Sequence, residues 1–185
     1  MASLVDRMIR AAKLDADLYE EVEADPASMG QATTVVLLAS IAGGLANLNQ
    51  MGVGGFVLGA VLSLVGWYVW SFITYWIGTR LLPQPSTEAD LGQLLRTIGF
   101  ASSPGLLRAL GVIPGIGPLI VLVSALWSLA AMVVAVRQAL DYDSTGRAIA
   151  VCVIGWVVQI LIVIVPLALL GFAIGSVASR GGAAA

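Results

Sequence analysis

The residues best placed to do chemistry in this 185-residue sequence are polar side chains that fall inside apolar stretches. Arg108, Gln159 and Asn47 are the candidates. Arg108 could bind a lipid phosphate, line a polar cavity or extend its charged end to the membrane surface, and we favour the extension. Gln159 is expected to form a hydrogen bond between helices rather than to coordinate a solute.

The residue types that catalysis and metal binding require are scarce. The chain has no histidine and one cysteine, Cys152, which excludes intramembrane proteolysis by Ser and His and a Cys/His metal site. All aspartates lie outside the apolar stretches, so an aspartyl intramembrane protease is excluded as well. No phosphate-binding or dinucleotide-binding motif occurs. We therefore predict that the protein is not an enzyme and has no catalytic residues, cofactor or metal, and that Cys152 is a packing residue.

The composition identifies the class of protein. Apolar residues make up 59% of the chain and charged residues 11%, whereas about a quarter of a soluble domain is charged. The net charge of −2 provides no basic surface for nucleic acid. These values exclude a soluble enzyme and a disordered chain, and they predict an all-α polytopic membrane protein.

The membrane spans are predicted from apolar stretches between clusters of charge, since a spanning helix needs about 20 residues. Four of these stretches are unambiguous and lie at 31–48, 54–78, 117–136 and 148–177. A fifth, ambiguous stretch lies between 94 and 112. The chain divides into a cytoplasmic amphipathic segment, a five-transmembrane-helix bundle and a flexible tail, at 1–28, 29–180 and 181–185. Trp67 and Trp70 lie deep in the second span and are expected to pack against other helices.

The stretch between Thr87 and Ile113 could be a full crossing or a re-entrant hairpin. Thr87 with Asp90 resembles a capping box that starts a helix, and Pro104-Gly105 should kink or break that helix. Because Lys and Arg prefer the cytoplasmic side, a full crossing is favoured: it keeps seven of the nine basic residues inside. We therefore predict five spans in the inner membrane, with the N-terminus cytoplasmic, Arg108 near the outer surface and the C-terminus outside.

The N-terminal segment is amphipathic and forms one helix or two. Apolar residues recur at helical spacing from Leu4 to Val22, and Asp25-Pro26 ends the pattern. The second half of the segment is acidic and would be repelled by anionic lipid. The segment either docks a partner or senses lipid headgroups, or it packs under the loops of its own bundle, and we favour packing.

Four segments together resemble the Yip family, the Rab-interacting proteins with five membrane spans, and in particular a bacterial member of it. The segments are Asp17–Pro26, Leu94–Leu107, Ile113–Leu119 running into Trp127, and Ala135–Tyr142 with Thr145–Ala148. The resemblance implies five helices, a cytoplasmic N-terminus and an integral membrane location. It also implies that eukaryotic relatives bind Rab GTPases and partner membrane proteins. That function is not expected to carry over, because a bacterial cell would lack Rab proteins.

We predict a non-enzymatic membrane protein that acts through protein or lipid interaction, in membrane organisation or a trafficking-like role, as a homo-oligomer. Its expected partners are membrane lipids, further copies of itself and other membrane proteins, with no nucleic acid. The candidate contact residues are Tyr19, Glu20, Asp25, Arg96, Pro104, Arg108, Arg137, Asp141, Arg147 and Gln159.

The alternative function is a channel or small-solute permease formed by an oligomer. It requires a continuous polar path near Arg108, Gln159 and Asn47. No span carries a carboxylate that could couple transport to protons or sodium, which argues against a secondary transporter. Gly55-x-x-x-Gly59 and Gly171-x-x-x-Gly175 fit small-residue helix packing and are weak signals of self-association.

Overall fold

A computed structural model describes residues 2–45 and 48–162, without the side chains of 48–51. All regular elements in this part of the chain are helical, which confirms the predicted all-α class. The α-helices are α1 (Leu4–Ala12), α2 (Ala16–Ala24), α3 (Met29–Leu45), α4 (Leu48–Trp76), α5 (Leu91–Ala101), α6 (Gly117–Ala139) and α7 (Thr145–Ile162). Two 3-10 helices at Pro26–Ser28 and Ser103–Val112 and a π-helical turn at Ile77–Leu81 complete them.

Four helical stretches are long and apolar enough to cross a membrane. They are Pro26–Leu45, Gly52–Leu81, Gly117–Ala139 and Thr145–Ile162. They match the four unambiguous spans of the sequence, and the turn between the first two is marked by Gly52, whose φ of 63° suits glycine. Asn47, the predicted course of the last span to residue 177, Gly171, Gly175, Arg180 and the tail lie outside the described residues.

The ambiguous stretch runs alongside α3 as α5 followed by the 3-10 helix Ser103–Val112. Near one end of α3, a Cβ on Gly99 would lie 2.8 Å from the Cβ of Ala32. Near the other end, a Cβ on Gly43 would lie 3.6 Å from Nη1 of Arg108. With rises of about 1.5 Å per α-helical residue and 2.0 Å per 3-10 residue, the pair reaches about 36 Å, enough for the hydrocarbon core of about 30 Å. This length and course favour a full crossing over a re-entrant hairpin.

The start of α5 differs from the sequence expectation by one turn. Asp90 is the N-cap, its carboxylate accepts from the backbone N–H of Gln93 at 2.8 Å, and the Gln93 side chain accepts from the N–H of Asp90. Thr87 instead accepts from the N–H of Gln84 at 3.0 Å. The predicted Thr87–Asp90 box is therefore wrong, because an Asp N-cap with Gln at the third helical position satisfies the same free N–H groups.

Interior contacts hold the spans together while their outer faces stay apolar. Trp67 donates its indole N–H to the carbonyl of Leu95 at 3.1 Å, and Trp70 donates to the sulfur of Met132 at 3.3 Å. The predicted helix-packing role of both tryptophans is thus confirmed. Exposed apolar side chains cover the outward faces of the long helices, for instance Leu58, Leu126 and Trp156. Apolar faces of this kind are suited to contact with lipid.

Candidate interaction sites

The N-terminal segment forms two helices, α1 and α2, which we call the N-terminal pair. Ser3 caps α1 by accepting from the N–H of Asp6, and Asp15 caps α2 by accepting from the N–H of Asp17, both at 3.1 Å. Leu14 separates the helices with a φ of 62°, a conformation that ends a helix.

Ion pairs join the two halves of the N-terminal pair. Arg7 contacts Glu21 at 2.8 Å and Asp25 at 3.2 Å, and Arg10 contacts Asp15 and Glu21, each at 2.7 Å. The hydrogen bond from Arg10 lowers the pKa values of Asp15 and Glu21 by favouring their carboxylate forms. The basic charges of α1 are therefore directed at the acidic charges of α2, which leaves them less free for lipid headgroups.

The N-terminal pair packs on its own bundle, as expected, but against the spanning helices rather than under the loops. Tyr19 is fully buried and donates its hydroxyl to the carbonyl of Ala11 at 3.1 Å. Trp127 of α6 donates its indole N–H to the carbonyl of Ala12 at 2.7 Å, and Gln138 of α6 donates to Glu20, also at 2.7 Å. Of the predicted contact residues here, Glu20 is exposed, Asp25 is partly covered and Tyr19 lies inside.

Arg96 does not lie on the exposed contact surface that the sequence predicts. It is 7% exposed, and its guanidinium donates to the carbonyls of Val22 (2.9 Å) and Glu23 at the end of α2. The last carbonyls of a helix have no partner within the helix, and a cation there also suits the negative end of the helix dipole. Arg96 therefore fastens the N-terminal pair to α5.

Glu23 is the carboxylate whose pKa is most clearly displaced upward, to about 7. Burial is the main cause, since it disfavours the charged form, and the nearby negative charges of Asp141, Glu20 and Asp90 act in the same direction. The positive charge of Arg96 opposes them. Close to pH 7 this side chain is therefore partly protonated.

The loop after α6 holds the other predicted contact residues. Arg137 donates to the carbonyl of Tyr142 at 3.1 Å, and Arg147 donates to the carbonyl of Pro83 at 3.2 Å. Tyr142 in turn donates its hydroxyl to the carbonyl of Leu82 at 2.8 Å, which ties the loop to the end of the second span. Asp141 and Arg147 are exposed, whereas Arg137 is partly buried. Asp141, Arg147 and Glu20 form a surface beside the N-terminal pair that we call the exposed charged surface.

Arg108 lines a cavity of about 330 Å³ between α3, α4 and the 3-10 helix. Its Nε donates to the carbonyl of Gly105 at 3.1 Å, and a Cβ on Gly105 would lie 2.6 Å from Nη2, so glycine leaves room for the guanidinium. This placement favours the polar-cavity role over extension to the surface. Neighbouring Pro104 is buried, and its carbonyl accepts from Ser124 at 2.8 Å.

Gln159 lines a second, largely apolar groove of about 710 Å³ between α4, α6 and α7, which we call the lateral groove. The carbonyl oxygen of Gln159 and the hydroxyl of Ser128 are buried there without a hydrogen-bond partner among the described residues. Cys152 also lines this groove. Arg108 and Gln159 therefore border different cavities, and the described residues form no shared polar path between them.

Three serines that were not predicted as site residues also line the Arg108 cavity: Ser40, Ser63 and Ser102. A signal was present, because Ser40 stands three residues before Gly43, and Gly59 four residues before Ser63. Small residues at such spacing share one helix face, which leaves space beside it. Which two small faces meet could not be inferred without the fold.

Comparison with known proteins yields one family. The sequence profile of the Yip1 domain matches residues 16–178, which is most of the chain. No curated protein and no solved structure is significantly similar to it. The match covers all the spanning helices and α2 of the N-terminal pair.

Proposed function

Because the chain belongs to the Yip1 domain family of multi-pass membrane proteins, we propose that it is a non-enzymatic protein that organises the membrane by associating with a second copy of itself. The observation that carries the proposal is the lateral groove, in which Gln159 Oε1 and the Ser128 hydroxyl have no hydrogen-bond partner among the residues that the structure describes. The proposed location is the inner membrane, with the N-terminus in the cytoplasm and the C-terminus outside.

A glutamine in an apolar groove is complementary to the same glutamine of a symmetry-related copy. Its side chain carries both an acceptor oxygen and a donor NH₂ group, so two copies of Gln159 can satisfy each other across a two-fold axis once the amide rotates and brings its buried oxygen to the surface of the groove. Interhelical side-chain hydrogen bonds of this kind stabilise helix association in membranes by about 0.6–2 kcal/mol. The second copy would also cover Trp156, which is 62% exposed and borders the groove.

The exposed charged surface formed by Glu20, Asp141 and Arg147 would remain free in such a dimer. It lies on the face that carries the N-terminal pair, whereas the lateral groove opens on the side of the bundle. We propose this surface as the contact site for other membrane proteins on the cytoplasmic side. A trafficking-like or membrane-organising role would follow from the combination of self-association and partner binding.

Native Cys152 makes the proposal directly testable, since it lines the groove seven residues before Gln159 and shares its helix face. Vesicles containing the protein would be treated with a short bismaleimide, and the products separated by mass. We expect a cross-linked dimer from wild type and a clear loss of it in Gln159→Leu. Gln159→Asn, which keeps the amide, should retain part of the yield.

A matched control moves the cysteine to another lipid-exposed face. In a Cys152→Ser background, Val65→Cys on α4 reports random collision, because Val65 is 53% exposed and does not border the groove. Equal dimer yields from Cys152 and from position 65 would contradict the proposal. A product with the mass of a different protein would assign the groove to another partner and would contradict it too.

A further inference from the structure

The guanidinium of Arg108 is a positive charge without a carboxylate partner. All eleven acidic side chains of the chain lie in its described part, and none is within 4.0 Å of Arg108. Arg7 and Arg10, by contrast, each contact two carboxylates. The hydrogen bond from Nε to Gly105 leaves the two outer nitrogens of the guanidinium without an acceptor among the described residues. A buried or half-buried guanidinium in this position calls for an anion.

The walls of the cavity supply neutral hydrogen-bond donors opposite that charge. Ser40 on α3 and Ser63 on α4 both line the cavity, and neither hydroxyl makes a hydrogen bond to another described residue. A serine or threonine in a helix commonly donates its hydroxyl to the carbonyl one turn earlier, as Thr33 does to Met29. Ser40 and Ser63 make no such bond within the described residues, so their hydroxyls are available to a ligand. Glycines such as Gly43 and Gly59 keep the space between them open. A guanidinium and hydroxyl donors around a cavity suit a phosphate group.

The location indicates the source of the phosphate. Arg108 lies four residues before the end of the 3-10 helix, which is about 8 Å at 2.0 Å per residue. This is the end of the bundle at which α4 and α6 begin. The headgroup layer outside the hydrocarbon core is about 5–7 Å thick on each side, so the cavity lies near the depth at which lipid phosphates are found. A phospholipid could therefore place its phosphate in the cavity and its acyl chains along exposed Leu58 and Leu62 of α4.

We infer that the Arg108 cavity is a binding site for a phosphate group, from a phospholipid headgroup or from free phosphate. Arg108 supplies the charge, and Ser40 and Ser63 supply hydroxyl donors. The site is separate from the lateral groove, so it stands whether or not the protein dimerises. It is also distinct from the charged surface beside the N-terminal pair, which lies at the opposite end of the bundle.

Lipid binding to the delipidated full-length protein would be measured by native mass spectrometry with three probes. These are phosphatidylglycerol, diacylglycerol with the same acyl chains, and phosphatidylglycerol in the presence of millimolar inorganic phosphate. We expect binding of phosphatidylglycerol at least about tenfold tighter than that of diacylglycerol, since each charge-assisted hydrogen bond is worth roughly a factor of ten. Competition by inorganic phosphate would identify free phosphate as a ligand; its failure would identify the lipid as the source.

Variants test the assigned residues. Arg108→Gln is expected to lose the preference for phosphatidylglycerol over diacylglycerol, whereas Arg108→Lys should keep part of it. The matched control is Arg80→Gln, which removes one positive charge at the opposite, exposed end of the second span and should leave the preference unchanged. If Arg108→Gln does not fold, the Ser40→Ala/Ser63→Ala variant, which keeps the charge, should still weaken phosphate binding. Equal binding of diacylglycerol and phosphatidylglycerol to wild type would overturn the inference, as would a preference that Arg80→Gln lowers as much as Arg108→Gln.

Discussion

Five arginines of this chain have three different kinds of surroundings. Arg7 and Arg10 contact carboxylates, Arg96 and Arg137 donate to backbone carbonyls, and Arg108 faces a cavity. These differences follow from where the folded chain places each residue, because the side chain itself is the same. Residues that the sequence counts as one class of charge thus form ion pairs, donate hydrogen bonds to backbone carbonyls or, in the case of Arg108, border the proposed phosphate site.

Replacing Arg96 with Met should destabilise the protein by about 2–4 kcal/mol. The substitution keeps the length of the side chain but removes the donors to the carbonyls of Val22 and Glu23, one of them in a buried contact. The free energy of unfolding would be measured by titration with SDS in mixed micelles. Arg80→Met, at an exposed position, should change it by less than about 0.5 kcal/mol. Similar losses in the two variants would contradict the role assigned to Arg96.

The stability of the folded state should fall as pH rises through the range in which Glu23 loses its proton. The pKa of Glu23 is 4.5 in the reference state and about 7 in the folded protein. Between these pH values the folded state binds more protons than the unfolded state. The Glu23 side chain therefore does not lower the free energy of unfolding below about pH 4.5, and it lowers it increasingly up to about pH 7. Glu23→Gln, which cannot ionise, should therefore become progressively more stable than wild type over that interval.

The measurement for Glu23 is the difference in melting temperature between the two proteins as a function of pH. The difference is taken because Asp15 and Glu21 have lowered pKa values, so their effect on stability has the opposite sign to that of Glu23. Each of them stabilises the folded state above its unfolded pKa, and this stabilisation is lost as the pH falls through its folded pKa. These groups are common to both proteins and cancel. A Glu23→Gln difference that stayed constant across the pH range would contradict the assignment.

At the scale of single elements, the sequence predicted the helices better than their ends. Apolar stretches of the right length identified three spans and the start of the last one within a few residues, because hydrocarbon thickness imposes that length. The start of α5 was misplaced by a turn because Thr87 and Asp90 are both common N-caps. The 3-10 form of Ser103–Val112 makes this stretch longer than an α-helix with the same number of residues.

The crossing of α3 with α5 should be sensitive to a single methyl group. A Cβ on Gly99 would lie 2.8 Å from the Cβ of Ala32 and 3.2 Å from its carbonyl oxygen, and neither atom belongs to a flexible side chain. Gly99→Ala should therefore force the helices apart and lower the free energy of unfolding by about 1–3 kcal/mol. The same SDS titration would measure it.

Gly66 of α4 provides the matched control for Gly99. It also lies within a helix, but a Cβ added there would meet no atom within 4 Å. Gly66→Ala should be neutral or stabilise the protein by up to about 1 kcal/mol, since alanine is the better helix former. If both substitutions were equally harmful, the close approach of α3 and α5 would not explain the result.

At the scale of the whole molecule, the distribution of charge indicated the topology but not the sites. Clusters of Lys and Arg suggested which loops share a side. The Arg108 cavity depends on small residues of α3 and α4 facing each other, and the burial of Arg96 depends on α2 resting on α5. Both are contacts between segments distant in sequence, which periodicity within one helix does not specify.

The predicted topology can be tested with single cysteines in a Cys152→Ser background. A full crossing by α5 and the 3-10 helix would separate exposed Ser86 from exposed Ile116, whereas a re-entrant hairpin would leave both on one side. We expect a membrane-impermeant maleimide to label Val53→Cys and Ile116→Cys in intact cells. Ser86→Cys and Ser144→Cys should react only after the membrane is permeabilised. Because each of these positions lies between two adjacent crossings, labelling must alternate along the chain if α5 and the 3-10 helix cross. Equal reactivity of positions 86 and 116 would contradict the third crossing, and the complete reverse pattern would keep the five crossings but invert the proposed orientation.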